Sequence, residues 1–171
     1  KKVGSFDTHF SVETTKQNIH NQKSSGRCWL FSGLNVLRSN FARNHKDTLR
    51  VELSHVYLSF HDQLEKANLM LQGVIDNANK PMDDPMVQFF FKSPIGDGGT
   101  FCGVADLVDK YGLVPMEVMP ESYSAENTSR MASIISSKLR EYGLELRKMV
   151  ANKKAAAAIK ARKTEMLGEI Y

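Results

Sequence analysis

Apolar positions recur at helical spacing over most of this chain. Leu30, Phe31, Leu34, Leu37 and Phe41 predict a helix from about Arg27 to Phe41 with that face buried. Ser24 and Ser25, just upstream, are cap-type residues. Tyr57, Phe60, Leu64, Ala67, Leu71 and Val74 follow at spacings of 3, 4, 3, 4 and 3. That predicts a long amphipathic helix capped by Ser54. Phe101, Val104, Ala105, Val108 and Tyr111 predict a helix stopped by Gly112. Met131, Ile135, Leu139, Tyr142, Leu146 and Met149 form the buried stripe of a long helix starting near Asn127. Ala155 to Ala158 favours helix again.

The intervening stretches are irregular. Residues 1–20 are polar and read as a lead-in, with Phe6, Phe10 and Ile19 as candidate anchors. Asn77 to Pro85 is a turn-rich break, and Val87 to Phe91 is too short to assign as helix or strand. Ser93-Pro94-Ile95-Gly96-Asp97-Gly98-Gly99 is a loop whose glycines permit sharp turns and close approach of another chain. Pro115 and Pro120 hold Leu113 to Pro120 extended.

Chemistry enters at Asn21-Gln22-Lys23-Ser24-Ser25-Gly26-Arg27-Cys28-Trp29. Cys28 falls where a polar loop meets an apolar helix. A thiol in a first helical turn faces the positive end of the macrodipole, which favours the nucleophilic thiolate. Gln22, six residues earlier, carries an amide able to donate to a developing oxyanion. An isolated cysteine reads more readily as a buried structural residue. The combination of Gln, the six-residue spacing and Gly-x-Cys-Trp shifts the balance to a nucleophile.

This stretch resembles the nucleophile segment of papain-like cysteine peptidases, in the form found in the bleomycin hydrolase and aminopeptidase C branch. Ser25 stands where secreted members commonly carry a second, disulfide-bonded Cys. Glu52-Leu53-Ser54-His55-Val56-Tyr57-Leu58, and Glu121 to Ser124 after Lys110-Tyr111-Gly112-Leu113-Val114-Pro115, are similar to the same family. The resemblance implies an α+β papain-like fold, of which this chain is mainly the helical, nucleophile-bearing lobe, with the second (β) lobe absent. It implies Cys28 and Gln22 as catalytic residues. Gly98, Gly99 and Trp29 are implied as substrate-binding, the glycines aligning the main chain of a peptide substrate. Thr100-Phe101-Cys102 replaces the family's usual Gln-Trp after Gly-Gly. No cofactor or metal is implied. Complete family members are hexameric rings, so homo-oligomerisation is expected of the complete protein.

Composition narrows this reading. The 171 residues, 42% hydrophobic and 25% charged, have an ordinary globular mix and suffice for one domain. No apolar run approaches the roughly 20 residues needed to span a bilayer. Two cysteines make no disulfide scaffold and suit a reducing, cytoplasmic setting. Cys102 reads as a packing residue, His20 as a surface histidine, and His55 and His61 as solvated. No histidine follows His61. In this family the base and its orienting Asn lie far downstream of the nucleophile. The expected organisation is therefore a lead-in at 1–20, a helical lobe at 21–150, and a basic Ala-rich helix at 151–171 beginning a truncated remainder. The primary expectation is a cysteine-type aminopeptidase acting on peptides through a thioester. One alternative is a catalytically inactive remnant serving as an interaction module. Another is a nucleic-acid binder using the nine Lys and Arg between Lys138 and Lys163, although a solvated helix face is the commoner outcome.

Overall fold

The computed structural model describes residues 4, 7, 9–14, 16, 18–46 and 50–171. Seven helices are found there: α1 (Cys28–Asn44), α2 (His55–Asp76), α3 (Pro85–Lys92), α4 (Phe101–Tyr111), α5 (Tyr123–Glu126), α6 (Thr128–Ala151) and α7 (Ala156–Ile170). The described residues contain no strand. Two isolated bridges, Ser24 with Asn127 and Leu53 with Pro115, are the β-type pairings. Among these residues no helix is long and apolar enough to cross a membrane.

α2 is the axis of the packing. Ser54 caps it, accepting from the Tyr57 N–H at 3.1 Å and donating to the Met119 carbonyl at 2.5 Å. The cap thus also ties α2 to the Pro-rich segment. One side of α2 meets α1 and α4 around Leu30, Leu34, Leu53, Leu58, Val104 and Leu107. The other meets α6 and α7 around Met70, Leu71, Leu139, Tyr142, Leu146 and Met166. Two apolar clusters on opposite sides explain why half of the expected α2 stripe is only partly buried, while Leu58, outside it, is fully buried. Val87 to Phe91 is helical because Asp84 caps α3 and Pro85 starts it. Gly112, at φ +76°, ends α4 as expected.

The register of burial differs from the apolar pattern in two helices. In α1, Phe41 is exposed and Leu37 half-buried, whereas Arg38 and Ala42 are buried. In α4, Val104 and Leu107 are buried but Phe101 and Ala105 are exposed. Phe10 and Ile19 are exposed and anchor nothing, and Phe6 lies outside the described residues.

The basic stretch from Lys138 to Lys163 does not form one face. A turn between Ala151 and Ala156 divides it between α6 and α7. Its arginines are turned inward to acceptors. Arg140 Nε donates to the Phe91 carbonyl at 2.7 Å, and Arg147 Nη1 to the Asn77 carbonyl at 3.1 Å. Arg162 meets Glu145 at 2.8 Å and Glu169 at 3.1 Å. The three arginines thus act as clips to neighbouring segments, while Lys148, Lys153, Lys154 and Lys160 are exposed to solvent as the sequence suggested. An open groove of about 310 Å³ runs between α2, α6 and the end of α7, lined by Phe60, Leu64, Met131 and Ile135 among others.

Candidate active site

The loop before α1 is built by its own side chains. Asn21 Oδ1 accepts from the Lys23 N–H at 2.8 Å, which supports Lys23 at φ +53°. The Gln22 amide nitrogen donates to the Ser25 carbonyl at 2.6 Å, and Ser25 Oγ donates to the Gln22 carbonyl at 2.7 Å. Neither Ser24 nor Ser25 caps α1, contrary to the sequence expectation. Arg27 occupies the cap position without a side-chain cap bond. Ser24 instead pairs through its backbone, its N–H donating to the Glu126 carbonyl at 2.9 Å.

The loop is then fastened through three residues. Asp97, in the Gly-rich loop, is the first. Its carboxylate accepts from the Gly26 N–H at 3.0 Å and from the Thr128 hydroxyl, and its carbonyl accepts from Trp29 Nε1 at 2.6 Å. One residue thereby joins the loop before α1, α1 itself and the start of α6. A Cβ at Gly26 would lie 2.6 Å from Asp97 Cβ, so this approach needs glycine. Glu121 is the second fastening. It takes both terminal nitrogens of Arg27, at 3.2 and 2.8 Å, while Arg27 Nε donates to Ser25 Oγ at 3.0 Å. Arg27 is buried, and its guanidinium lies over the Phe31 ring. Trp29 is the third. Its indole packs directly on Gly99, where a Cβ would fall 2.5 Å from Cδ2.

Cys28 is the first residue of α1 and is exposed. Its N–H belongs to the first helical turn, whose donors have no intrahelical acceptor. Of the residues singled out from sequence, Trp29 and Gly99 touch, with Cys28 adjacent to Trp29 in the chain. Gln22 is held in the same loop through Ser25. Gly98 makes a different contact: its carbonyl accepts from Lys66 Nζ at 2.7 Å. Cys102 is exposed, so it is not the packing residue expected. No grouping of His, Cys, Asp and Glu suited to a metal ion occurs among the described residues.

Behind α1 lies a polar cluster that the sequence did not announce. Arg38 Nη2 approaches Glu52 Oε2 at 2.7 Å, an ion contact without good hydrogen-bond alignment. Arg38 Nε donates to the Val51 carbonyl at 3.0 Å, and His20 Nε2 lies 2.8 Å from Glu52. His20 is therefore a half-buried partner of this pair, not a surface histidine. His55 is fully buried, its ring stacked on Phe31 at 3.8 Å between centroids and 4.0 Å from Glu121. Burial, then the charges of His20, Arg27 and Arg38, push its pKa down to about 3. His61 stacks on Tyr111, and burial lowers its pKa against the opposing effect of Glu65. His55 is therefore not solvated as expected, whereas His61 is partly exposed. Arg27, Asp97 and Glu121 were all missed as site residues. The available signals were weak: an Arg directly before Cys28, and an Asp directly before Gly98.

His55 gives the fold a pH dependence with a definite sign. The unfolded chain protonates it near pH 6.5, whereas the folded chain resists protonation down to about 3. The unfolded state binds more protons in that window, so stability falls as pH drops through it. At pH 5 the loss is about 2 kcal/mol relative to pH 7.5. Urea unfolding at the two pH values measures it. His55→Gln should remove this component, and an unchanged slope in that variant would assign the acid sensitivity elsewhere.

A helical unit whose exposed cysteine opens a helix beside a clamped Gly-Gly loop belongs to a defined class. The chain is a member of the Peptidase C1-like family, whose model matches residues 1–171. It is similar to aminopeptidase G of Lactobacillus delbrueckii subsp. lactis, with 46% identity over 99% of this chain and 38% of that protein. Aminopeptidase C of the same organism is 40% identical over 97% of this chain and 37% of its own length. Human bleomycin hydrolase is 39% identical over 90% and 34%. Among solved structures, PepW of Lactobacillus rhamnosis superposes with a TM-score of 0.89 at 39% identity, covering 96% of this chain and 36% of that one. The chain thus spans little more than a third of the length of these relatives.

Proposed function

We propose that these residues form the nucleophile-bearing helical part of a papain-like cysteine peptidase that acts as an aminopeptidase. The observation that carries the reading is Cys28: exposed at the first position of α1, in a loop joined through Asp97 and Trp29 to the Gly98-Gly99 segment. The Cys28 sulfur attacks the peptide carbonyl and forms a thioester as the amine leaves. The Cys28 N–H and the second hydrogen of the Gln22 amide, whose first is given to Ser25, receive the oxyanion. His20, His55 and His61 are each engaged elsewhere. The resemblance to papain-like peptidases supports a base histidine, oriented by an Asn, that lies outside these 171 residues. Family membership supports peptides as the substrates. Two unpaired cysteines support a reducing, cytoplasmic setting. Homo-oligomerisation of the natural-length protein belongs to the same proposal and rests on resemblance.

The test is covalent labelling with an aminoacyl chloromethyl ketone, followed by peptide mapping. Cys28 is expected to react at least tenfold faster than Cys102, which is also exposed and serves as an internal reference. In the natural-length protein, hydrolysis of aminoacyl amides should vanish in Cys28→Ala. Equal labelling of both thiols together with surviving hydrolysis would overturn the assignment.

A further inference from the structure

Lys66 lies on α2, far in sequence from the nucleophile loop, yet its ammonium reaches the Gly-rich segment. Nζ donates to the Gly96 carbonyl at 2.7 Å, to the Gly98 carbonyl at 2.7 Å and to Asp62 Oδ2 at 2.6 Å. An ammonium has three hydrogens, so these contacts use all of them. The same nitrogen lies 5.4 Å from the centroid of the Trp29 ring. Gln63 Nε2 adds a second donor to the Gly96 carbonyl at 3.2 Å. Between the two held carbonyls, the Asp97 carbonyl is taken by Trp29 Nε1 at 2.6 Å. Three successive carbonyls are therefore committed, those of 96 and 98 to α2 and that of 97 to the indole.

This pattern leaves Gly99 as the first unit of the segment whose N–H and carbonyl are both open to an incoming chain. Its backbone has no hydrogen bond among the described residues. Its α-carbon is pressed against the Trp29 ring, which fixes the plane it presents. Moving the Lys66 ammonium would release the Gly98 carbonyl and one face of the indole together, and would leave the Gly96 carbonyl to Gln63 alone.

We propose that Lys66 is a positioning residue for peptide binding, holding the 96–98 carbonyls inward so that Gly99, and not Gly98, pairs with the substrate main chain. The proposal rests on the peptidase reading above. Lys66 touches no reacting atom and acts through the loop. Strand-type pairing draws its affinity from main-chain hydrogen bonds, so a displaced edge costs binding more than chemistry.

The experiment uses the natural-length protein with Lys66→Met, which keeps the apolar stem and removes every donor, and Lys66→Arg, which keeps the charge. KM for a peptide amide is expected to rise about tenfold in Lys66→Met, with kcat changed less than threefold and a smaller KM change in Lys66→Arg. Labelling of Cys28 by iodoacetamide, which needs no peptide pairing, should stay within twofold of wild type. A second readout uses depsipeptides in which one substrate N–H at a time is replaced by oxygen. In wild type one such replacement should raise KM about tenfold, and in Lys66→Met that penalty should shrink. A lower melting temperature with unchanged KM and an unchanged depsipeptide penalty would overturn the proposal and leave Lys66 a stabilising residue only. Should Lys66→Met not fold, the depsipeptide penalty in Lys66→Gln, which is too short to hold both carbonyls, decides the point: a reduced value supports positioning, and the wild-type value overturns it. Wild-type protein without Cys28-dependent hydrolysis would instead remove the peptidase reading, an outcome separate from any effect at Lys66.

Discussion

Glu121→Ala is expected to destabilise the folded chain by about 3 kcal/mol, lowering its melting temperature by about 10 °C. Arg27 is 1% exposed, and both of its terminal nitrogens point at Glu121. Removing the carboxylate leaves a guanidinium shut away from water with only Ser25 Oγ and the Phe31 ring beside it. Water still reaches Glu121, whose side chain is 24% exposed, which places the expected cost at the lower end for a broken buried pair. The cost belongs to the orphaned charge more than to the lost attraction. Arg27→Met combined with Glu121→Leu should therefore recover most of the stability. Arg27 is also the residue before Cys28, so its displacement loosens the start of α1. Thermal unfolding of the two singles and the double measures the cycle. A Glu121→Ala variant within 0.5 kcal/mol of wild type would show that Arg27 finds water or another acceptor.

Gly99→Ala is the second large effect, at about 2 kcal/mol. The new methyl would sit 2.5 Å from Trp29 Cδ2 and 2.7 Å from Cζ2, so the indole must move. The ring is pinned by Nε1 to the Asp97 carbonyl, and Asp97 in turn holds the Gly26 N–H. Relief of the clash thus loosens the loop carrying Cys28, and labelling of Cys28 by an aminoacyl chloromethyl ketone should slow at least tenfold. Gly98→Ala is the control. Nothing lies within 4 Å of a Cβ at Gly98, and its φ is not positive, so its stability should change by less than about 0.5 kcal/mol. Equal destabilisation by both substitutions would mean that the loop rejects side chains generally, and the specific contact with Trp29 would lose its standing.

Both predictions turn on contacts between residues distant in sequence, and that is where reading the chain alone reached its limit. Helical periodicity located α2, α4 and α6, and the Ser54 cap was recognisable because the hydroxyl and the N–H it accepts from are three residues apart. The family motif before α1 was legible for the same reason, as Gln22, Gly26, Cys28 and Trp29 are fixed relative to one another by a short stretch of backbone. The burial phase of α1 was misread because the pattern counts only apolar side chains. Arg38 takes a fully buried position there, made tolerable by Glu52 and the Val51 carbonyl across the helix. His55 was misread likewise, since nothing local shows that Phe31 will stack on its ring.

The sequence by itself thus determined where the long helices α1, α2, α4 and α6 form, which cysteine opens one, and the family to which the chain belongs, because each depends on neighbours within a few residues. Only the tertiary structure decided that Asp97 fastens the loop, that Glu121 neutralises Arg27, that Lys66 takes the Gly98 carbonyl, and that the basic stretch turns its arginines inward. Apart from Arg162, whose partners Glu145 and Glu169 are 17 and 7 residues away, those pairings join residues 31 to 94 positions apart. A buried charge or carbonyl must be satisfied by something, but composition and spacing do not say by which partner; folding selects it through which surfaces pack together.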